Sequence, residues 1–136
     1  MCRKGFTLLE VLIVVIIIGI LASIALPQYT ATIEKSRSGE ASTNIGSLRT
    51  ALDRYWYQNG SIATDLSSLD IDNPNLVTNK LYTYTITDDG TTADGRKYTV
   101  TATRTVGSAS YWVKWTQSDN NTGKLTRSAN LGGPTS

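Results

Sequence analysis

The sequence predicts an α+β fold, with one long N-terminal α-helix whose second half packs on an antiparallel sheet of three or four strands. Three patterns predict it. Residues 6–26 form a long, predominantly apolar run, and Ala41, Ile45, Leu48, Leu52 and Tyr55 then recur at helical spacing. Beyond residue 80, apolar and polar side chains alternate in short segments separated by Asp, Asn and Gly. A chain of 136 residues holds one ordinary domain plus an appended segment, but not two domains with separate cores.

The first element reads FTLLEVLIVVIIIGILASIAL, and Phe, Leu, Ile or Val fill 15 of its 21 positions. As a helix it is about 31 Å long, which matches the hydrocarbon core of a bilayer. The β-branched residues 11–20 favour a strand locally, but an apolar run of this length is a membrane helix, which satisfies its backbone polar groups internally. Glu10 interrupts it. A carboxylate near mid-membrane costs roughly 3 kcal/mol, whereas the large apolar residues supply roughly 5 to 9 kcal/mol, so the segment inserts with Glu10 in place. Glu10 then points to a partner cation, the alternative being a carboxylate near the membrane face that protonates or snorkels. Arg3 and Lys4 ahead of the run hold the N-terminus in the cytoplasm. Ser23-Ile24-Ala25 leaves a second possibility open, an ordinary secretory signal cut after Ala25 to leave Leu26 first.

Past Pro27 the pattern becomes amphipathic. The stripe from Ala41 to Tyr55 faces a core, and Glu40, Arg49, Asp53 and Arg54 are expected on the solvated face of a helix covering residues 30–58. Asn59-Gly60 ends it. Pro27 removes a backbone hydrogen bond and is expected to kink the helix, with Gly19 and Gly39 as weak points. Residues 59–80 read as a connecting loop with a short turn through Leu66 and Leu69. Residues 81–127 carry the sheet: Tyr82, Tyr84 and Ile86, then Tyr98, Val100 and Ala102, then Tyr111, Val113 and Trp115 mark its buried face, with a weaker strand near Leu125. Residues 128–136 are expected to be a frayed tail.

Composition removes most enzymatic readings. The chain has no His and a single Cys, Cys2, so His or thiolate metal sites, Cys/His pairs and Ser-His-Asp triads are absent. The net charge of +2 is too small to argue for nucleic acid as the main partner. No catalytic residue and no cofactor is expected.

Lys4-Gly5-Phe6-Thr7-Leu8-Leu9-Glu10, followed by an apolar stretch with Gly19 and then Pro27, resembles the class III signal peptide and N-terminal helix of type IV prepilins and pseudopilins. The resemblance covers about residues 3–60 and implies the pilin fold. It implies that a prepilin peptidase removes the leader, residues 1–5, by cutting between Gly5 and Phe6 and N-methylates Phe6. Residues 6–29 would then be the transmembrane and filament-core helix, and residues 30–136 a globular head whose loop at 59–80 is the family's variable α–β loop. The implied role for Glu10 is to neutralise the Phe6 amine of a neighbouring subunit and so set the register of assembly. The helix between Gly19 and Pro27 is often melted in assembled pili of the family.

The function so implied is a structural subunit of a type IV pilus, stored in the bacterial inner membrane and polymerised by the pilus assembly machinery into an extracellular fimbrium. The filament, a homo-oligomer, would serve adhesion, twitching motility or DNA uptake. The alternatives are a pseudopilin of a type II secretion system, a minor pilin, or an exported binding protein with an ordinary cleaved signal peptide. Loss of residues 1–5 would leave 11 basic and 11 acidic side chains and no thiol.

Many pilins close a C-terminal loop with a disulfide, which this chain cannot form. Packing of Tyr111, Trp112 and Trp115, turn hydrogen bonds, or an ion must hold that region. Asp88, Asp89 and Asp94, with Asp119 and Asn121, offer oxygen ligands for Ca²⁺, although turns require the same residue types. Trp56, Trp112 and Trp115 suit core packing better than stacking on single-stranded DNA. Asn59-Gly60-Ser61 and Asn120-Asn121-Thr122 fit the N-glycosylation sequon, and 33 Ser and Thr suit O-glycosylation or a polar β-surface.

Overall fold

The computed structural model describes residues 5–93 and 95–135, and the leader residues Cys2, Arg3 and Lys4 as well as Asp94 lie outside them. The chain divides into two compact units, Met1–Glu34 and Lys35–Ser136. Helix α1, Leu8–Asn59, contributes to both.

In the first unit, α1 continues unbroken through Gly19 and Pro27. Small hydroxyls take carbonyls near the proline: Ser23 donates to the Ile20 carbonyl at 2.7 Å and Thr30 to that of Pro27 at 2.9 Å. The large apolar side chains of this stretch are exposed all round the helix.

In the second unit, the expected stripe is the buried one. Ala41, Ile45, Leu48 and Leu52 are inaccessible to solvent or nearly so, joined by Ser38 and Ala51, and Tyr55 packs at the margin. The helix stops where Gly60 adopts a left-handed φ of 68° and donates to the Trp56 carbonyl at 2.7 Å. Two short 3₁₀ turns follow, Leu66–Ser68 and Pro74–Leu76. Ile62, Ala63, Leu66 and Leu69 of this connection enter the core.

Four strands, β1 Thr83–Asp88, β2 Tyr98–Val106, β3 Ala109–Gln117 and β4 Gly123–Arg127, form an antiparallel meander in the order β1-β2-β3-β4. Val106 pairs with Ala109 across a two-residue turn in which Gly107 takes a φ of 61°. Tyr84, Ile86, Tyr98, Val100, Ala102 and Val113 point into the core. Thr83, Thr85 and Thr87 lie on the opposite face.

Two expectations are corrected. Arg49 and Asp53 are not free surface charges, because both side chains are drawn against groups from the sheet side, as described below, although Asp53 still meets solvent. The described residues after 127, up to 135, are anchored rather than frayed. Ala129–Leu131 forms a 3₁₀ turn, Leu131 is 2% exposed in the core, and the Arg127 N–H donates to the Pro134 carbonyl at 2.9 Å. An apolar side chain one turn beyond the last strand overrides the tail's polar composition.

Candidate processing and assembly segment

Thr7-Leu8-Leu9-Glu10 sets the start of α1. The Glu10 N–H donates to Thr7 Oγ1 at 3.2 Å, and the Thr7 N–H donates to Glu10 Oε2 at 2.7 Å. This reciprocal pair is a capping box, which satisfies two of the backbone donors that a helix N-terminus leaves over. Its Thr-x-x-Glu signature was legible in the sequence, and the reading of Glu10 as a charge alone passed over it.

The cap has a positional consequence. Gly5, Phe6 and Thr7 lie outside the helix, and Phe6 is 89% exposed. The peptide bond between Gly5 and Phe6 is therefore not tied into the helical hydrogen-bond ladder. Glu10 stands one turn on, beside Val11, Ile13 and Val14 along a shallow apolar groove that also takes in Phe6.

The head holds a second cluster of polar and aromatic side chains, centred on Arg96, which the sequence did not single out. Arg96, in the β1–β2 connection, is 6% exposed. Its guanidinium pairs with the Asp53 carboxylate of α1 and donates to Asn120 of the β3–β4 turn, at 3.3 Å to Oδ1 and 2.6 Å to the main-chain carbonyl. It also lies 5.3 Å from the Trp56 ring. Arg49, one turn before Asp53, stacks 3.5 Å from the centroid of Trp115, whose Nε1 donates to Gln117 at 3.0 Å. Gly123 backs that indole so closely that any Cβ there would collide with the ring. Thus two arginines and two tryptophans tie β3 and both sheet connections to the last turns of α1.

Tyr98 is buried in the same cluster. Burial pushes its hydroxyl up to about 12, the Asp53 carboxylate adds to the rise, and Arg49 and Arg96 oppose it.

Of the oxygen-rich residues considered for Ca²⁺, Asp94 lies outside the described residues and the others sit in two separate turns. Asp88 Oδ1 accepts the Gly90 and Thr91 N–H groups at 3.1 and 2.8 Å, and Asp89 accepts the Thr99 hydroxyl. Asp119 Oδ1 accepts the Asn121 and Thr122 N–H groups at 2.8 and 2.7 Å, which holds its carboxyl below the usual range. Among the described residues no three His, Cys, Asp or Glu side chains are grouped to hold a metal. Of the three tryptophans, Trp56 and Trp115 pack against the core, and Trp112 stands on the outer sheet face with the Lys114 ammonium 5.6 Å from its ring.

Comparison with known proteins matches residues 1–26 to the prokaryotic N-terminal methylation motif, and residues 27–121 to the type IV minor pilin ComP, DNA uptake sequence receptor. A fimbrial protein of Moraxella nonliquefaciens is 40% identical over 94 residues, 68% of this chain and 60% of that one. The type IV major fimbrial protein FimA of Dichelobacter nodosus is 51% identical over 51 residues, 38% of this chain and 33% of its own length. The type II secretion system core protein G of Aeromonas hydrophila is 41% identical over 68 residues, 50% of this chain and 48% of that protein. The chain thus spans 60% or less of the length of these relatives. No solved structure gives a significant match. A methylation motif on a bare apolar helix, joined to an α+β head that matches a pilin family over residues 27–121, places this chain in the type IV pilin family.

Proposed function

We propose that the chain is a structural subunit of a type IV pilus, made as a single-pass inner-membrane precursor with its N-terminus in the cytoplasm and polymerised through its N-terminal helix into an extracellular fimbrium. One observation carries this reading. The first half of α1 exposes large apolar side chains in every direction, a surface suited to lipid and to packing against other apolar helices.

The position of the Gly5–Phe6 peptide outside the helical ladder supports cleavage there by a prepilin peptidase, and the methylation-motif match supports N-methylation of Phe6. The new terminus is an ammonium in apolar surroundings, tolerable chiefly when paired. Glu10 of an adjoining subunit supplies that charge in the assembled filament. Its capping bond occupies Oε2 and leaves Oε1 for the partner. The chain is itself a substrate in this scheme, acted on by the peptidase and moved by the assembly machinery.

The match over the head favours a second reading, a minor pilin that contacts DNA, and the Trp112–Lys114 pair on the outer sheet face is a chemically suitable contact. The local likeness to a secretion core protein keeps a pseudopilin in view.

Mass spectrometry of the mature N-terminus, with electron microscopy of sheared cell-surface material, tests the proposal. Methylated Phe6 and filaments containing this chain are expected. A mature N-terminus at Leu26 would overturn it in favour of an exported binding protein. A gel shift of filaments with duplex and single-stranded DNA, lost in Trp112→Ala and Lys114→Ala, would select the DNA-contacting reading.

A further inference from the structure

Residues 81–87 read LYTYTIT, seven consecutive residues without a charge, Pro or Gly, all but Leu81 strong strand formers. Such a segment is the usual signature of self-pairing strands when it lies at a sheet edge. Here it does: β1 is the first strand of the meander and has β2 on one side only.

The pairing pattern identifies the groups on its open side. Asp89 donates to the Lys97 carbonyl, so Thr87, Thr85 and Thr83 are the β1 residues bonded to β2, and the main-chain groups of Tyr84 and Ile86 face outward. One side chain meets them. Asn75 accepts the Tyr84 N–H on Oδ1 and donates from Nδ2 to the Tyr84 carbonyl, both at 2.8 Å, and thereby reproduces the two bonds of a neighbouring strand.

Asn75 is held at its own main chain too. Its N–H donates to Asn73 Oδ1 at 2.9 Å, and its carbonyl accepts Lys80 Nζ at 2.6 Å. Pro74 opens the 3₁₀ turn that carries it. The far edge of the sheet is treated alike, with the outward N–H of Arg127 taken by the Pro134 carbonyl.

From this geometry we infer that the β1 edge is a latent strand-pairing surface whose partner is β1 of a second copy of this chain, and that Asn75 holds it shut. An antiparallel pair centred on Thr85 sets Tyr84 of each copy opposite Ile86 of the other. The two Thr85 residues then meet at a non-hydrogen-bonded site, about 4.5 Å between Cα atoms. The inference does not depend on the filament reading. Any setting that crowds copies of this chain makes the guard necessary.

The test uses the full chain in detergent micelles with Cys2→Ser to remove the native thiol. Thr85→Cys is added with and without Asn75→Ala, and the disulfide-linked dimer is measured after mild oxidation. About 4.5 Å between Cα atoms is within disulfide range. At least ten-fold more dimer is expected when Asn75 is replaced, and an intermediate yield with Asn75→Asp, which keeps the acceptor for the Tyr84 N–H and loses the donor. Equal yields in all three would overturn the inference. If Asn75→Ala does not fold, hydrogen exchange on the unaltered chain decides: the Tyr84 amide should exchange at least ten-fold more slowly than that of Ile86, and equal rates would overturn the guard.

Discussion

Replacing Asp53 with Ala leaves the Arg96 guanidinium buried with its charge uncompensated. Arg96 is 6% exposed, while the Asp53 side chain is 39% exposed, so one partner is desolvated and the other still meets water. Breaking a fully buried pair costs about 3 to 5 kcal/mol, and screening at the half-open carboxylate brings this to about 2 kcal/mol. For a head of roughly 100 residues that lowers Tm by about 8 to 16 °C. Arg96→Met removes the charge itself, at a cost of about 1 to 2 kcal/mol for the lost Asn120 bonds. In the Arg96→Met background, Asp53→Ala should then cost less than about 0.5 kcal/mol. Thermal melts of the full chain in detergent, followed by tryptophan fluorescence, measure all four corners of this cycle. A Tm for Asp53→Ala within about 2 °C of wild type, or equal costs in both backgrounds, would refute the argument that Arg96 is the group being compensated.

Three further outcomes are expected. Gly123→Ala forces the Trp115 ring off its seat beneath Arg49 and should cost about 1 to 3 kcal/mol, most of it recovered in the double variant with Trp115→Leu. Glu10→Gln keeps the capping geometry but discards the charge, so it should be cleaved and inserted normally yet yield few filaments by electron microscopy; Thr7→Val, which breaks the cap but keeps the charge, should still assemble. The raised folded-state value of Tyr98 makes its contribution complete below pH 10 and progressively lost as pH climbs towards about 12, because the unfolded chain ionises first. Tm should therefore fall less steeply over that alkaline window in Tyr98→Phe, and parallel curves would rule this linkage out.

Periodicity made the fold legible. The helical stripe from Ala41 to Leu52 and the alternation around Tyr84, Val100 and Val113 each report directly on which side of an element is buried, whereas the apolar run over residues 6–26 has no period and marks a helix bare on every side. The Arg96 clamp was not legible, because its members lie 43 and 24 residues apart from Arg96 and only the closed fold brings them together. For the same reason Arg49 and Asp53 counted as surface charges on a helical wheel, which says nothing of long side chains reaching round a face to a tryptophan or a guanidinium. The tail's anchoring has no period to read: a single apolar side chain, Leu131, and main-chain bonds such as Arg127 to Pro134 hold it.

The meander has a kinetic corollary. Each strand pairs with its sequence neighbour, and the β2–β3 link is only two residues, so the hairpins close small loops, and a hairpin forms in about 1 to 10 μs. The contacts between α1 and the sheet join residues 41–55 to residues 82–131, and closing those large loops carries the main entropic barrier. The sheet is thus positioned to form first, with docking on the helix as the late, rate-setting event. With the helix held in a bilayer, as proposed above, that order would let the strands organise in water before they need their apolar partner, and slow docking would lengthen the time during which the Tyr98 and Val100 face is open to chaperones or proteases.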